Sequence, residues 1–153
     1  MPASSKTSAK ESSSKRKADI KYEDKSGGQP EIVLIFEEIK KLLLPYAIGS
    51  IKLHGGDKGK IVLISEKDVE VAGRKYNEMW FASALVQKGY VGFYYMPIYT
   101  QHDKINKLIA PELMKTLKGK ACFHIKKPDA VIYSQIKDAL KIGYNCYKEI
   151  GWV

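Results

Sequence analysis

Two adjacent segments rich in aromatic and β-branched residues constrain the fold of this chain most strongly. They run from Met79 to Val86 and from Tyr90 to Ile98, and only residues 87–89 separate them. Residues of these types favour extended strands, and a short connection that contains glycine is typical of a hairpin. The chain is therefore predicted to build an antiparallel sheet around this pair of strands. Pro97 is expected to end the second strand, because proline cannot donate a hydrogen bond to a strand ladder.

Helical patterns flank the predicted strands. Apolar residues recur every three or four positions from Ile32 to Leu43, and Pro45 is expected to end this helix. Asp129 is a favourable N-cap for a second long helix, predicted over Ala130 to Tyr147. The shorter predicted elements are strands over residues 48–54, 61–65, 68–71 and 121–126, and helices over residues 103–109 and 112–117. This order predicts an α+β domain, a mainly antiparallel sheet of about five to six strands packed against N- and C-terminal helices.

The N-terminal segment differs in composition from the rest of the chain. Residues 1–30 are mostly Ser, Lys, Ala and Gly, with seven basic residues against four acidic ones. Such a segment buries too little apolar surface to offset the entropy of ordering. We therefore predict a disordered basic tail over residues 1–30 and a single domain over residues 31–153.

Composition also limits the compartment and the partners. No apolar stretch approaches the roughly 18 residues that a membrane span needs, and the N-terminus has no apolar signal segment. The two cysteines, Cys122 and Cys146, are too few for a disulfide framework and are typical of a reducing compartment. We expect a cytoplasmic protein that does not contact the membrane. Its formal net charge of +9 favours anionic partners.

The sequence lacks the common metal-binding and catalytic motifs. The three histidines, His54, His102 and His124, have no spacing typical of a helical metal site, and no HExxH, CxxC, GxGxxG or P-loop motif occurs. Cys122 and His124 share one face of a predicted strand, where a third ligand would complete a soft-metal site, or the pair could act as nucleophile and base. We favour a core thiol beside a solvated imidazole. No cofactor and no enzymatic activity are predicted.

The aromatic residues of the hairpin are the strongest candidate binding surface. Alternation places Phe93 and Tyr95 on one face of the sheet and Tyr90 and Tyr94 on the other. One face must pack under the helices, so the second is available to line a groove, unless the cluster is a two-sided core. Lysines near the strand ends would give such a groove a cationic rim. The candidate ligand-binding residues are Trp80, Lys88, Tyr90, Tyr94, Lys120, Cys122, His124 and Lys126.

Three short motifs resemble a known family. They are residues 91–97 (VGFYYMP), 111–113 (PEL) and 119–127 (GKACFHIKK). In this order they resemble the YdhG-like family of domains of unknown function, in which a PEL helix and a GKSCF strand follow an aromatic strand. Ala121 stands here in place of the serine of the last motif. The resemblance covers roughly residues 32–146 and implies a small intracellular α+β domain. Some members are described as frataxin-like iron chaperones, and most have no assigned activity.

An iron-chaperone role would require a cluster of carboxylates on the first helix, because iron ions favour oxygen ligands. Residues 31–41 contain Glu31, Glu37 and Glu38 together with two lysines, and the domain as a whole is positive. Attraction for a metal cation is therefore expected to be weak.

The leading functional prediction is a non-enzymatic binding module that holds a small anionic ligand or a protein partner at the aromatic sheet face. The first alternative is the iron chaperone. The second is binding of single-stranded nucleic acid, in which lysines contact phosphates and exposed tyrosines stack on bases.

Overall fold

The computed structural model describes residues 23–56 and 58–153. Two long helices are the first and the last described elements of the chain. The helices are α1 (Pro30–Leu43), α2 (Pro97–Thr100), α3 (His102–Ile105), α4 (Pro111–Met114) and α5 (Ala130–Glu149). The strands are β1 (Ile51–Gly55), β2 (Lys60–Ser65), β3 (Val69–Val71), β4 (Arg74–Tyr76), β5 (Met79–Gln87), β6 (Tyr90–Tyr95), β7 (Leu117–Lys118) and β8 (Cys122–Ile125). Short 3₁₀ turns cover Leu44–Tyr46 and Asn106–Leu108.

Six strands form one antiparallel sheet, and this confirms the predicted α+β class. The strand order is β1-β2-β5-β6-β8-β7, while β3 and β4 form a separate two-stranded sheet. The predicted hairpin is at the centre: Ala84 of β5 pairs with Phe93 of β6, and Phe93 pairs in turn with Phe123 of β8. Strands β1 and β7 are therefore the two edges.

Helices α1 and α5 cover one face of this sheet and build the core with it. Ile35 and Ile39 of α1 and Leu140 of α5 are fully buried, as are the sheet residues Phe93 and Phe123. Each such side chain stabilises the fold by roughly 1.5–3 kcal/mol through burial alone. Asp129 caps α5 as predicted, because its Oδ1 atom accepts hydrogen bonds from the N–H groups of residues 131 and 132 at 2.9 and 3.3 Å.

Several predicted boundaries differ from the structure. The strand predicted over residues 90–98 ends at Tyr95, and Pro97 begins helix α2 instead of ending the strand. The fixed φ of proline suits the first helical position, where no N–H donor is needed. The helix predicted over residues 112–117 ends at Met114, because Leu117 pairs with Phe123 and forms the edge strand β7.

The described part of the predicted tail contacts the hairpin. Lys25 Nζ donates a hydrogen bond to Gln87 Oε1 at 2.9 Å. Gln29 Nε2 donates to the carbonyl oxygen of Gln87 at 3.0 Å, and Gln29 Oε1 accepts from the N–H of Gly89 at 2.7 Å. Residues 1–22 lie outside the described residues, so their predicted disorder stays a prediction. Within residues 23–56 and 58–153, no helix has the length and apolarity needed to cross a bilayer.

Candidate functional site

The sheet face opposite the helices, which we call the open face, carries the candidate aromatic residues. Tyr94 pairs with Cys122, and residue 92 pairs with His124, so these side chains share one face. Phe93 and Tyr95 point the other way and are fully buried in the core. The predicted alternation along β6 is therefore confirmed.

Trp80 reaches the open face because of an irregularity in the sheet. The register between β2 and β5 shifts between Leu63 and Ile64, so that Ile64 pairs with Trp80 while Phe81 turns into the core. Trp80 then packs on Val62 and Ile64, which form a small second cluster apart from the main core. This apolar surface fixes the position of the indole ring.

Tyr90 and His124 form a stacked pair on the open face. Their ring centroids lie 3.9 Å apart and the rings are 14° from parallel. Gly92 lies beside them on β6, where a Cβ atom would approach Tyr94 Cε1 to 3.1 Å and Tyr90 Cε2 to 3.7 Å. The glycine therefore leaves room for the tyrosine rings on both sides of it. We call the stacked pair the Tyr90–His124 platform.

Exposed lysines lie near this platform in the strand order and in the adjoining turn. Burial lowers the pKa of His124, and the nearby charges of Lys118 and Lys126 lower it further. Lys88 lies in the β5–β6 turn, and Lys25 is held at the same end of the sheet by its hydrogen bond to Gln87, the residue that pairs with Tyr90. We call these four lysines (Lys25, Lys88, Lys118 and Lys126) the basic corner.

Lys120 does not belong to the basic corner, although the sequence predicted that it would share one cationic rim with Lys88 and Lys126. Because β6 and β8 are antiparallel, Lys126 lies at the Tyr90 end of β6, whereas Ala121 bonds to the N–H of Tyr95 at the other end. Lys120 lies in the turn that joins β7 to β8, whereas Lys126 follows the opposite end of β8. Lys120 Nζ lies instead 5.6 Å from the ring centroid of Tyr99.

An aromatic groove of about 880 Å³ opens beside Trp80. Its walls come from β3, β4, the loop of residues 77–78, β5, β6, α2 and the C-terminal residues. The aromatic side chains that line it are Tyr76, Trp80, Tyr94, Tyr99 and Trp152. The predicted residues Trp80 and Tyr94 therefore line one cavity, while Tyr90 and His124 form a separate surface.

Tyr94 and Cys122 hold each other in place. Burial and a hydrogen bond with Cys122 raise the pKa of Tyr94 to about 12, so its hydroxyl stays neutral near pH 7. Burial likewise raises the pKa of the Cys122 thiol. A thiol in this state is a weak nucleophile and a poor metal ligand. Cys122 bonds to Tyr94, and His124 stacks on Tyr90, so each has a structural partner of its own.

Trp152 forms a fixed part of the groove wall. Its ring packs edge-to-face on Tyr147 with centroids 4.9 Å apart, and its carbonyl oxygen accepts a hydrogen bond from Ser65 Oγ at 2.6 Å. Thr100 also lines the groove, and its Oγ1 atom lies 2.8 Å from the Tyr147 hydroxyl. Sequence reasoning missed Trp152 and Tyr76, because tertiary packing alone brings them to the hairpin. One sequence signal for Trp152 was present. Gly151 terminates α5 with a positive φ of 81°, and a large apolar residue directly after such a glycine often packs against the protein.

Two of the α1 carboxylates, Glu37 and Glu38, pair with lysines on the same helix. Glu37 lies 3.9 Å from Lys40, and Glu38 lies 2.9 Å from Lys41. In the described residues, no three His, Cys, Asp or Glu side chains gather closely enough to hold a metal ion.

Comparisons of the chain with protein-family models, with curated proteins and with solved structures found no match. Membership of the YdhG-like family therefore stays a proposal that rests on the three sequence motifs.

Proposed function

We propose that this chain is a non-enzymatic binding module, similar to the YdhG-like domains, that binds an anionic ligand with a flat aromatic part on the Tyr90–His124 platform. The observation that supports this most directly is the stacked pair itself, which lies among four exposed lysines. A nucleobase with its phosphate has this chemistry, either as a free nucleotide or within a single strand.

The platform suits stacking because its two rings are already parallel. A base placed on an aromatic side chain gains roughly 1–3 kcal/mol, largely without regard to its identity. Tyr90 and His124 are only partly buried, so part of their surface is open to a ligand.

The basic corner suits the phosphate. Each lysine that neutralises a phosphate releases counterions, which makes the affinity depend on salt. The lysines are exposed, so their charge costs little desolvation in the free protein. We therefore expect electrostatic attraction from the lysines and orientation from the rings.

Binding to a thymidine oligonucleotide, compared with thymidine 5′-phosphate and thymidine, tests this proposal. The oligonucleotide is followed by fluorescence anisotropy and the two small molecules by chemical-shift changes. Binding of the nucleotide but not of the nucleoside would indicate a free nucleotide, and binding of the strand alone would indicate a nucleic acid. The Tyr90→Leu variant should reduce the binding free energy of whichever ligand binds by about 1–3 kcal/mol.

The lysine variants separate the basic corner from the general charge of the chain. The double variant Lys118→Met/Lys126→Met should flatten the dependence of log K on log salt for the oligonucleotide by about 1.4. The control is Lys137→Met/Lys141→Met, which removes two exposed lysines from α5 on the other side of the sheet. Equal effects of the two double variants, or an unchanged affinity in Tyr90→Leu, would show that the platform is not the site.

The pH dependence gives an independent check at His124. Its lowered pKa keeps the ring neutral near pH 7 in the free protein. A bound phosphate favours the imidazolium form of His124 and raises its pKa. Affinity should therefore increase as the pH falls from the pKa of the bound protein through that of the free protein. The oligonucleotide is the ligand for this check, because thymine and phosphodiesters do not titrate in this range, and the His124→Gln variant should lose the effect.

The iron-chaperone alternative has no specific support in the described residues. Glu37 and Glu38 of α1 pair with neighbouring lysines, as described above.

A further inference from the structure

The aromatic groove differs in chemistry from the basic corner, and its ligand is a separate question. Five aromatic side chains (Tyr76, Trp80, Tyr94, Tyr99 and Trp152) converge on it from five parts of the fold. Among the described side chains that line it, the only charged one is Glu78, and no lysine or arginine is present. An anion would find no charged partner on these walls.

The faces of aromatic rings attract cations. A ring carries negative charge above and below its plane, so an ammonium group within about 6 Å of the centroid is stabilised. The structure already contains one such contact, since Lys120 Nζ lies 5.6 Å from the centroid of Tyr99. Tyr99 is 51% exposed, so this ring is accessible at the mouth of the groove.

The local charge of one wall of the groove is also suited to a cation. The segment of residues 66–78, which contributes one wall, has four acidic and three basic residues, although the whole chain is +9. Glu78 lies directly in the lining and is half-buried. A carboxylate beside several aromatic rings favours a cation with apolar substituents over a small hydrated metal ion.

We propose that the groove binds a small quaternary-ammonium ligand of the choline class. The methyl groups of such a cation contact the ring faces, its positive charge interacts with the ring quadrupoles and with Glu78, and its weak hydration lowers the cost of entry. The volume of about 880 Å³ is within the range of sites for small organic ligands. This proposal is independent of the nucleotide site, because the two sites share no residue.

The tryptophans of the chain allow a direct test. The sequence contains two, Trp80 and Trp152, and both line the groove. Intrinsic tryptophan fluorescence of the full chain therefore reports on this site. Choline is titrated against 3,3-dimethyl-1-butanol, its neutral isostere with carbon in place of nitrogen. We expect a saturable change with choline and an affinity for the isostere that is lower by about fivefold or more.

Three variants identify the origin of that preference. Tyr99→Leu changes an exposed residue, so the fold is retained. This variant should weaken the binding of choline but not the binding of the isostere. Glu78→Gln should do the same, while Glu70→Gln on the neighbouring strand β3 is the matched control. Lys120→Met removes a competing ammonium from Tyr99 and should strengthen choline binding.

The opposite results overturn the proposal. No fluorescence change at tens of millimolar choline, or equal affinity for choline and its isostere, would show that the groove does not select a cation. Weaker choline binding in Lys120→Met would contradict the assigned role of that lysine as a competitor. Because Tyr99→Leu leaves both the platform and the net charge unchanged, oligonucleotide binding should be unchanged in this variant, and the two proposals can fail separately.

Discussion

Gly143 shows how a single residue determines the packing of α5 on the sheet. A Cβ atom at this position would lie 2.6 Å from the Tyr95 hydroxyl and 2.7 Å from Pro97 Cγ. Neither neighbour can move easily, since Tyr95 is fully buried and donates a hydrogen bond to the carbonyl oxygen of Ala139 at 2.5 Å. The absence of a side chain at residue 143 lets the helix approach β6 closely.

The Gly143→Ala variant is therefore expected to be less stable, although alanine is the better helix former. Higher helix propensity contributes about 1 kcal/mol in favour of alanine, but overpacking of a filled core costs about 1–3 kcal/mol or more. With contacts this short, we expect the upper part of that range for the overpacking cost, and therefore a net loss of about 1–2 kcal/mol. Urea unfolding measures it as a lower midpoint. The control Asn145→Ala, exposed on the same helix, should stay within about 0.5 kcal/mol. Equal midpoints would show that α5 shifts away without cost.

At the scale of elements, segments with a clear local pattern were predictable, including the short strands β3 and β8, whereas strands β4 and β7 were not. The apolar stripe and the Asp129 cap specify α5, and the aromatic hairpin specifies β5 and β6. Strands β4 and β7 have three and two residues, too few for a repeating pattern, and they exist because a neighbouring strand pairs with them.

The same distinction applies to the candidate site. Alternation along one strand correctly placed Tyr90 and Tyr94 on a common face, because the period of two is local. The position of Lys120 depends on the register between β6 and β8, and three short helices separate those strands in the chain. Local patterns carry no information about that register. Trp152 likewise reaches the groove only through the packing of α5.

The inward face of α5 gives a prediction at this scale. Leu140 is fully buried among sheet and helix residues, so Leu140→Ala should reduce the free energy of unfolding by about 2–5 kcal/mol. Thermal or urea unfolding measures the loss. Lys141→Ala, an exposed neighbour, serves as the control and should change stability by less than about 0.5 kcal/mol. A loss below that limit in Leu140→Ala would mean that the helix packs on the sheet with another face.

At the scale of the whole molecule, the open face has two regions of opposite chemistry. The basic corner adds to the overall positive charge of the chain, whereas the aromatic groove has Glu78 as the charged group of its described lining. Long-range attraction brings anions to the molecule as a whole, and it is screened within about 10 Å at ordinary salt. Selection of a cation by the groove must therefore come from short-range contacts with its rings.

The N-terminal segment gives the last prediction, because its two parts should differ in their effect on stability. Residues 1–22 contain few large apolar side chains, so deleting them should leave the midpoint of thermal unfolding unchanged. Deletion of residues 1–29 also removes the hydrogen bonds of Lys25 and Gln29 to the hairpin. The two Gln29 bonds together contribute about 1–2 kcal/mol, so this deletion should lower the midpoint by roughly 3–8 °C.

Single variants show whether those bonds cause the difference. Gln29→Ala in the full chain should reproduce most of the loss, because its side chain bonds to both Gln87 and Gly89. Lys25→Ala should have a smaller effect, since its one bond to Gln87 is exposed to water. A lower midpoint on deletion of residues 1–22 alone would show that this part of the tail stabilises the fold. Equal midpoints for both deletions would show that residues 23–29 contact the hairpin without stabilising it.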